Sequence, residues 1–280
     1  MTDHHKGCTV ATKVLLTGAS GRIGRMLAPR LSALGWSVRP YDLEPPPGAG
    51  AEWVRGDITD PGTLTGAMTG VGAVVHLAGL SGEAAFADLL HHNIDGTYQV
   101  FEAARRTGVP RVLFASSSHA VGFHARTELP DEDLATTELR PRPDTFYGAS
   151  KVFGEALGSL YADRHGMRVA SVRIGSCFPE PTNVLSLATW LSPGDAARLF
   201  DALLRTPDLR YEVLYGISAN TRAWWDLSPA RRLGYAPRDD AEAYADAVLA
   251  RHGALDPADA DARYLGGRFT EWTGTEWTGT

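Results

Sequence analysis

Apolar positions in this chain fall into short unbroken runs, separated by longer stretches in which they recur every three or four residues. The runs are Val14-Leu15-Leu16, Val38, Val74-Val75-His76-Leu77, Val112-Leu113-Phe114-Ala115 and Val169 to Ile174. Continuous rather than alternating apolarity predicts strands covered on both faces. Arg22 to Leu34 and Glu83 to Thr107 carry the helical spacing. Strand and helix in alternation predict an α/β fold, a Rossmann-type doubly wound parallel sheet. Past Ile174 the texture changes, with Cys177-Phe178-Pro179-Glu180-Pro181, a helical stretch from Pro193 to Thr206, and Trp224-Trp225-Asp226. The expected division is a flexible leader over 1–12, a sheet domain over 13–178, and a smaller substrate-facing lobe over 179–269 interleaved with the core. A mobile tail is expected over 270–280, where Thr-Glu-Trp-Thr-Gly repeats.

Composition narrows the function classes. The 280 residues suffice for about two domains, or for one large domain with an appended lobe. No apolar run approaches the ~18 residues that span a bilayer, so no membrane partner is expected. A net charge of −6 offers no field for a phosphate backbone, so no nucleic-acid partner is expected either. Cys8 and Cys177 are too few for a disulfide framework, and neither has zinc-ligand neighbours, so no metal is expected. The leader lacks the apolar core of a secretory signal, which makes the cytoplasm the default; His4-His5 reads as part of a frayed polar segment.

Directly after the first strand stands Thr17-Gly18-Ala19-Ser20-Gly21-Arg22-Ile23-Gly24, a G-x-x-G-x-x-G pattern opening a helix. Glycines there permit a tight turn and bring backbone N–H groups against a pyrophosphate at a helix N-terminus. Asp42 ends the second strand, where a carboxylate accepts from both adenosine ribose hydroxyls and repels a 2′-phosphate. NAD is therefore expected over NADP, although Arg22 stands near enough to the loop to meet such a phosphate. Asp57 and Ile58 are placed for the adenine, and Leu77-Ala78-Gly79 for the crossing of the sheet edge.

Tyr147-Gly148-Ala149-Ser150-Lys151 puts a phenol and an ammonium four residues apart on one helical face. An adjacent ammonium and a positive nicotinamide ring favour the phenolate, which makes Tyr147 a candidate general base. The fifth strand ends in Ser116-Ser117-Ser118-His119, delivering hydroxyls beside it; His119 reads equally as a loop histidine or a substrate contact.

Together with Asn93-Ile94-Asp95-Gly96-Thr97, these motifs resemble the extended short-chain dehydrogenase/reductase superfamily, the NAD-dependent epimerase/dehydratase family. His76 to Ser81, Phe114 to His119, Arg142-Pro143-Asp144, Val172 to Cys177 with Pro179-Glu180-Pro181, and Trp224-Trp225-Asp226 are similar to its uronate-oxidising branch. The likeness covers nearly all of the chain after Lys13. It implies Tyr147 as base, Lys151 as ribose ligand and activator, and Ser117 or Ser118 as the hydroxyl partner, of which Ser117 is taken. It further implies Asn93 and Ser176 at the cofactor, and Ser81, Ser118 and His119 at the substrate. Two positions depart from that branch. Ser118 replaces an asparagine, and Thr182-Asn183-Val184-Leu185-Ser186 lacks the arginine that would take a sugar carboxylate.

The expected function is NAD-dependent oxidation of a small cyclic sugar, a uronate or related aldose, at C1 to its lactone. The alternative is a nucleotide-sugar epimerase or dehydratase, for which the residues after Ser176 leave limited room. A non-catalytic NAD-binding sensor is a third reading, and Tyr147 with Lys151 speaks against it. The expected partner is a small sugar or sugar acid, and a homo-oligomer is left open.

Overall fold

Val14, Leu15 and Leu16 are fully buried, as are Val74, Val75, Val112 and Leu113. Strands this apolar need cover on both faces, and the chain supplies it with helices. The computed structural model describes residues 12–129 and 134–273. His4, His5 and Cys8 of the leader, and the tail from 274 on, lie outside the described residues.

Seven parallel strands form one sheet: β1 (Lys13–Thr17), β2 (Ser37–Asp42), β3 (Val54–Arg55), β4 (Ala73–His76), β5 (Arg111–Ser117), β6 (Arg168–Ile174) and β7 (Tyr211–Gly216). Their spatial order is β3-β2-β1-β4-β5-β6-β7. Val14 pairs with Val38 on one side and Ala73 on the other, and Ser117 with Ile174. Chain order reverses between β1 and β4, and the loops leaving the carboxyl ends of these two strands diverge there to open a crevice.

Helix α1 (Arg22–Ala33) buries Gly24, Leu27 and Leu31. The helical run predicted from Glu83 begins instead at Phe86, because Glu83 uses its carboxylate elsewhere: Oε2 accepts the Tyr147 backbone N–H at 2.7 Å. A wide π turn over Leu89–Asp95 then leads into α2 (Gly96–Thr107). Helix α3 (Phe146–His165) starts where the Thr145 hydroxyl accepts the Gly148 N–H, and stops at Gly166 in a left-handed conformation. It is fastened to β6 by a buried pair: Arg173 donates to both oxygens of Glu155 at 2.8 Å, and Ser116 adds a third bond at 2.6 Å.

The sheet does not end at residue 178. β7 comes from the stretch expected to form a smaller lobe interleaved with the core, and it pairs in parallel with β6, Val169 opposite Tyr211. Helix α4 (Pro193–Arg205) packs against α1. Val169, Ala170 and Val172 are fully buried, so β6 needs a neighbour on its outer edge, and the later segment provides it. Gly267–Glu271 forms a short 3₁₀ turn, so the predicted tail begins inside ordered structure. No helix among the described residues is long and apolar enough to cross a membrane.

Candidate active site

A cleft of about 730 Å³ runs across the carboxyl ends of β1, β2, β4, β5 and β6. At its middle, Gly18 turns with φ +71°, and a Cβ there would sit 2.6 Å from the Ala78 nitrogen. A Cβ at Gly24 would overlap the Gly18 carbonyl oxygen, so glycine lets α1 start directly under the loop. No side chain caps α1 and no acid stands in its first turn, which leaves its leading N–H groups for an anion. Gly18, Ser20, Gly21, Arg22, Ile23 and Gly24 all line the cleft.

At one end, Asp42 is held by two backbone donors, Ser20 N–H at 2.8 Å and Leu43 N–H at 2.7 Å. Asp57 and Ile58 lie beyond it. Burial works to raise the Asp57 pKa, but the Thr59 amide and hydroxyl outweigh it and hold that carboxyl below its ordinary value. Arg22 is turned away from this end: its guanidinium lies 4.0 Å over the Phe178 ring. Asp42 is thus held at this end by the loop's own amide, while the Arg22 guanidinium is engaged by the Phe178 ring. Leu77, Ala78, Gly79 and Ser81 continue the lining, joined by Ser176 from the segment that follows β6. An acid at one end, an uncapped helix in the middle, and a phenol with an ammonium at the other end together fit a dinucleotide.

Asn93 does not line the cleft. Its amide accepts from Leu80 N–H at 2.8 Å and donates to Leu80 O at 3.0 Å and Ser150 Oγ at 3.2 Å. It braces the turn after β4 from behind, where the likeness implied a cofactor contact. Ser118 is also absent from the lining, buried in a 3₁₀ turn, whereas Ser117 faces the cleft and hydrogen-bonds Tyr147.

Tyr147 and Lys151 share one face of α3, as their spacing predicts, with Nζ 5.4 Å from the phenol ring centre and donating to Ala115 O at 2.9 Å. Sequence favoured an easily ionised phenol; without cofactor, burial dominates instead. It pushes Tyr147 up to about 12, the Ser117 hydrogen bond opposing and the Asp144 charge adding to the rise. Burial likewise brings Lys151 down to about 8. Burial also pushes the thiol of Cys177, in the cleft lining, up to about 12, against the opposing charges of Arg22 and Arg30.

Four neighbours went unread in the sequence. Phe178 and Phe269 line the cleft, and Phe269 stacks on His119 at 4.0 Å between ring centres. Asp144 hydrogen-bonds His119, and Glu83 holds the amide of Tyr147. Only Asp144, inside Arg142-Pro143-Asp144, carried a signal that pointed toward the site.

A model of the NAD dependent epimerase/dehydratase family matches residues 14–186. The chain is 40% identical to uronate dehydrogenase of Pseudomonas putida, over 93% of this chain and 96% of that one. It is also 40% identical to an NAD-dependent glucose-6-phosphate dehydrogenase of Haloferax volcanii, over 81% of this chain and 93% of that one. Its structure is similar to that of a variant uronate dehydrogenase from Agrobacterium tumefaciens crystallised with NAD. The TM-score is 0.87 and the identity 39%, with 94% of this chain and 98% of that one covered.

Proposed function

The chain belongs to the NAD dependent epimerase/dehydratase family, and from that premise we propose that this NAD-dependent dehydrogenase oxidises a uronate at C1 to its lactone. The observation carrying the reading is the gathering of Tyr147, Ser117 and Lys151 at the end of the cleft opposite Asp42. NAD, when bound, supplies the acceptor for the hydride that leaves C1, and a positive ring charge beside Tyr147.

The loop from Gly18 to Gly24 would hold the pyrophosphate, Asp42 the adenosine ribose, Asp57 and Ile58 the adenine, and Lys151 the second ribose. Ser176 would lie on the nicotinamide side. Tyr147 takes the proton of the C1 hydroxyl while Ser117 holds that oxygen by a hydrogen bond. The Lys151 ammonium favours the phenolate and so lowers the cost of that transfer. Ser81 at the rim and His119 at the wall contact the remaining sugar hydroxyls. In this reading residues 13–178 with β7 and α4 form the NAD-binding part, and the smaller lobe made from the rest of 179–269 faces the substrate.

The epimerase or dehydratase alternative is not favoured: the Pseudomonas putida relative, matched over nearly its whole length, is a uronate dehydrogenase. A panel of free hexuronates and neutral aldoses, read by the absorbance of reduced nicotinamide, tests the proposal. Hexuronates are expected to reduce NAD without a nucleotide handle. Interconversion of nucleotide-sugar epimers with no net change in absorbance, and no oxidation of any free sugar, would overturn it.

A further inference from the structure

Asp144 has no exposed side-chain surface, yet it stands directly behind the wall of the cleft. Three glycines from separate segments enclose it. A Cβ at Gly122 or Gly266 would overlap its carboxylate, and one at Gly148 would meet Oδ1 at 3.2 Å. Both carboxylate oxygens are engaged. Thr145, the N-cap of the Tyr147 helix, donates its hydroxyl to Oδ1 at 3.0 Å, and His119 Nδ1 lies 2.7 Å from Oδ2. A second bond ties the same two residues in the opposite sense, Asp144 N–H to the His119 carbonyl at 3.3 Å. The imidazole is further fixed by Phe269 stacked on one side and Tyr147 standing edge-on, its ring centre 5.9 Å away. An ionised carboxylate can only accept, so the nitrogen facing it carries the hydrogen, and in the neutral imidazole the other ring nitrogen is left as an acceptor.

We propose that Asp144 is a positioning residue for substrate recognition: it fixes His119 as the Nδ1–H tautomer and thereby presents Nε2 at the cleft wall as an acceptor for a sugar hydroxyl. That a sugar occupies this wall rests on the function proposed above; the tautomer and orientation of His119 do not. An acceptor locked beside Tyr147 discriminates by hydroxyl pattern, because a sugar lacking a donor at that place leaves Nε2 unpaired in a partly dry site. Asp144 also acts on Tyr147 directly, since its charge adds to the burial that raises the phenol. Removing that charge would by itself ease ionisation of the base, so any loss of rate on removing it runs against the direct effect and comes through the groups Asp144 holds, His119 and Thr145, which the His119→Gln background separates.

Asp144→Asn keeps the shape that the glycine cradle requires but turns an acceptor into a group that donates to Nδ1, which selects the wrong tautomer. Its kcat/KM for a hexuronate should fall about 10- to 100-fold, with most of the loss in KM and NAD affinity unchanged. In a His119→Gln background the same substitution should add no further loss. Long-range hydrogen–nitrogen spectra of isotope-labelled histidine, with His119→Gln supplying the assignment, read the tautomer without any turnover. The parent should show Nδ1–H at His119 and Asp144→Asn should show Nε2–H. An Nε2–H parent, a tautomer unmoved by Asp144→Asn, or losses that multiply in the double variant would each overturn the proposal. A parent that oxidises no sugar would overturn the functional reading alone, and the spectra would still decide the role of Asp144.

Discussion

Burial shifts Tyr147 and Lys151 toward their uncharged forms, the phenol up to about 12 and the ammonium down to about 8. The site therefore holds charge-bearing groups at a cost to the fold. Between about 8 and the ordinary lysine value of 10.5, the unfolded chain binds a proton that the folded chain does not, so stability rises with pH across that window. Below it the full cost of the buried ammonium persists. Lys151→Met should thus stabilise the protein by up to about 3 kcal/mol near neutral pH while abolishing oxidation. Urea unfolding should show that gain shrinking as the pH approaches the ordinary lysine value; a destabilised variant at neutral pH would refute the argument. Tyr147→Phe deletes only the ionisable oxygen and should keep NAD binding while losing ~10²–10⁴ in turnover. Activity within a few-fold of the parent would remove Tyr147 from the role of base. Asp42→Ala should relax the preference for NAD over NADP, because Arg22 rests on Phe178 and leaves the carboxylate as the discriminating charge at that end. Comparable kcat/KM for the two cofactors in the parent would show otherwise.

At the scale of elements, α3 carries both reactive groups, and the Glu155–Arg173 pair is one of the ties that hold it to the sheet. Burial alone would lower the Arg173 pKa, yet Glu155 outweighs it and drives the guanidinium up. Glu155→Gln leaves that charge buried without its counter-ion and should cost about 3–5 kcal/mol, read from the urea midpoint. Replacing both residues by leucine should recover much of the loss; if it does not, the pair contributes more than charge balance. The element boundaries that periodicity misplaced have the same kind of cause. Glu83 lies outside its helix because its carboxylate is committed to the Tyr147 amide, and the wide turn that follows brings Asn93 to Leu80. Neither commitment has a period, so neither leaves a trace in hydrophobic spacing.

Across the whole molecule, the cleft is closed by segments far apart in the chain, Phe178 after β6 and Phe269 from the end of the described residues. Leu185, in the stretch where the likeness implies an arginine for a sugar carboxylate, packs on the core, its Cδ2 2.8 Å from where a Gly267 Cβ would stand. Leu185→Arg should lower KM for a uronate about tenfold, the worth of one charge-assisted hydrogen bond, and leave a neutral aldose unchanged. An equal change for both sugars would mean that the carboxylate binds elsewhere.

What the sequence determined by itself follows from local rules. Unbroken apolar runs dictate buried parallel strands, glycines at fixed offsets dictate the loop that opens α1, and a spacing of four dictates that Tyr147 and Lys151 share a face. The acid at the end of β2 was legible for the same reason, since a strand end has one place in such a sheet. Tertiary structure alone decided the rest. That β7 joins the first sheet depends on the exposed edge of β6, a property of the assembled strands. Whether Asn93 touches the cofactor or braces a turn depends on which side of the β4 loop it approaches, and Ser117 is separated from Ser118 by the direction in which the chain leaves β5. The ionisation of Tyr147 depends on how completely it is buried, and burial is a sum over contacts from every part of the chain, which no local pattern encodes.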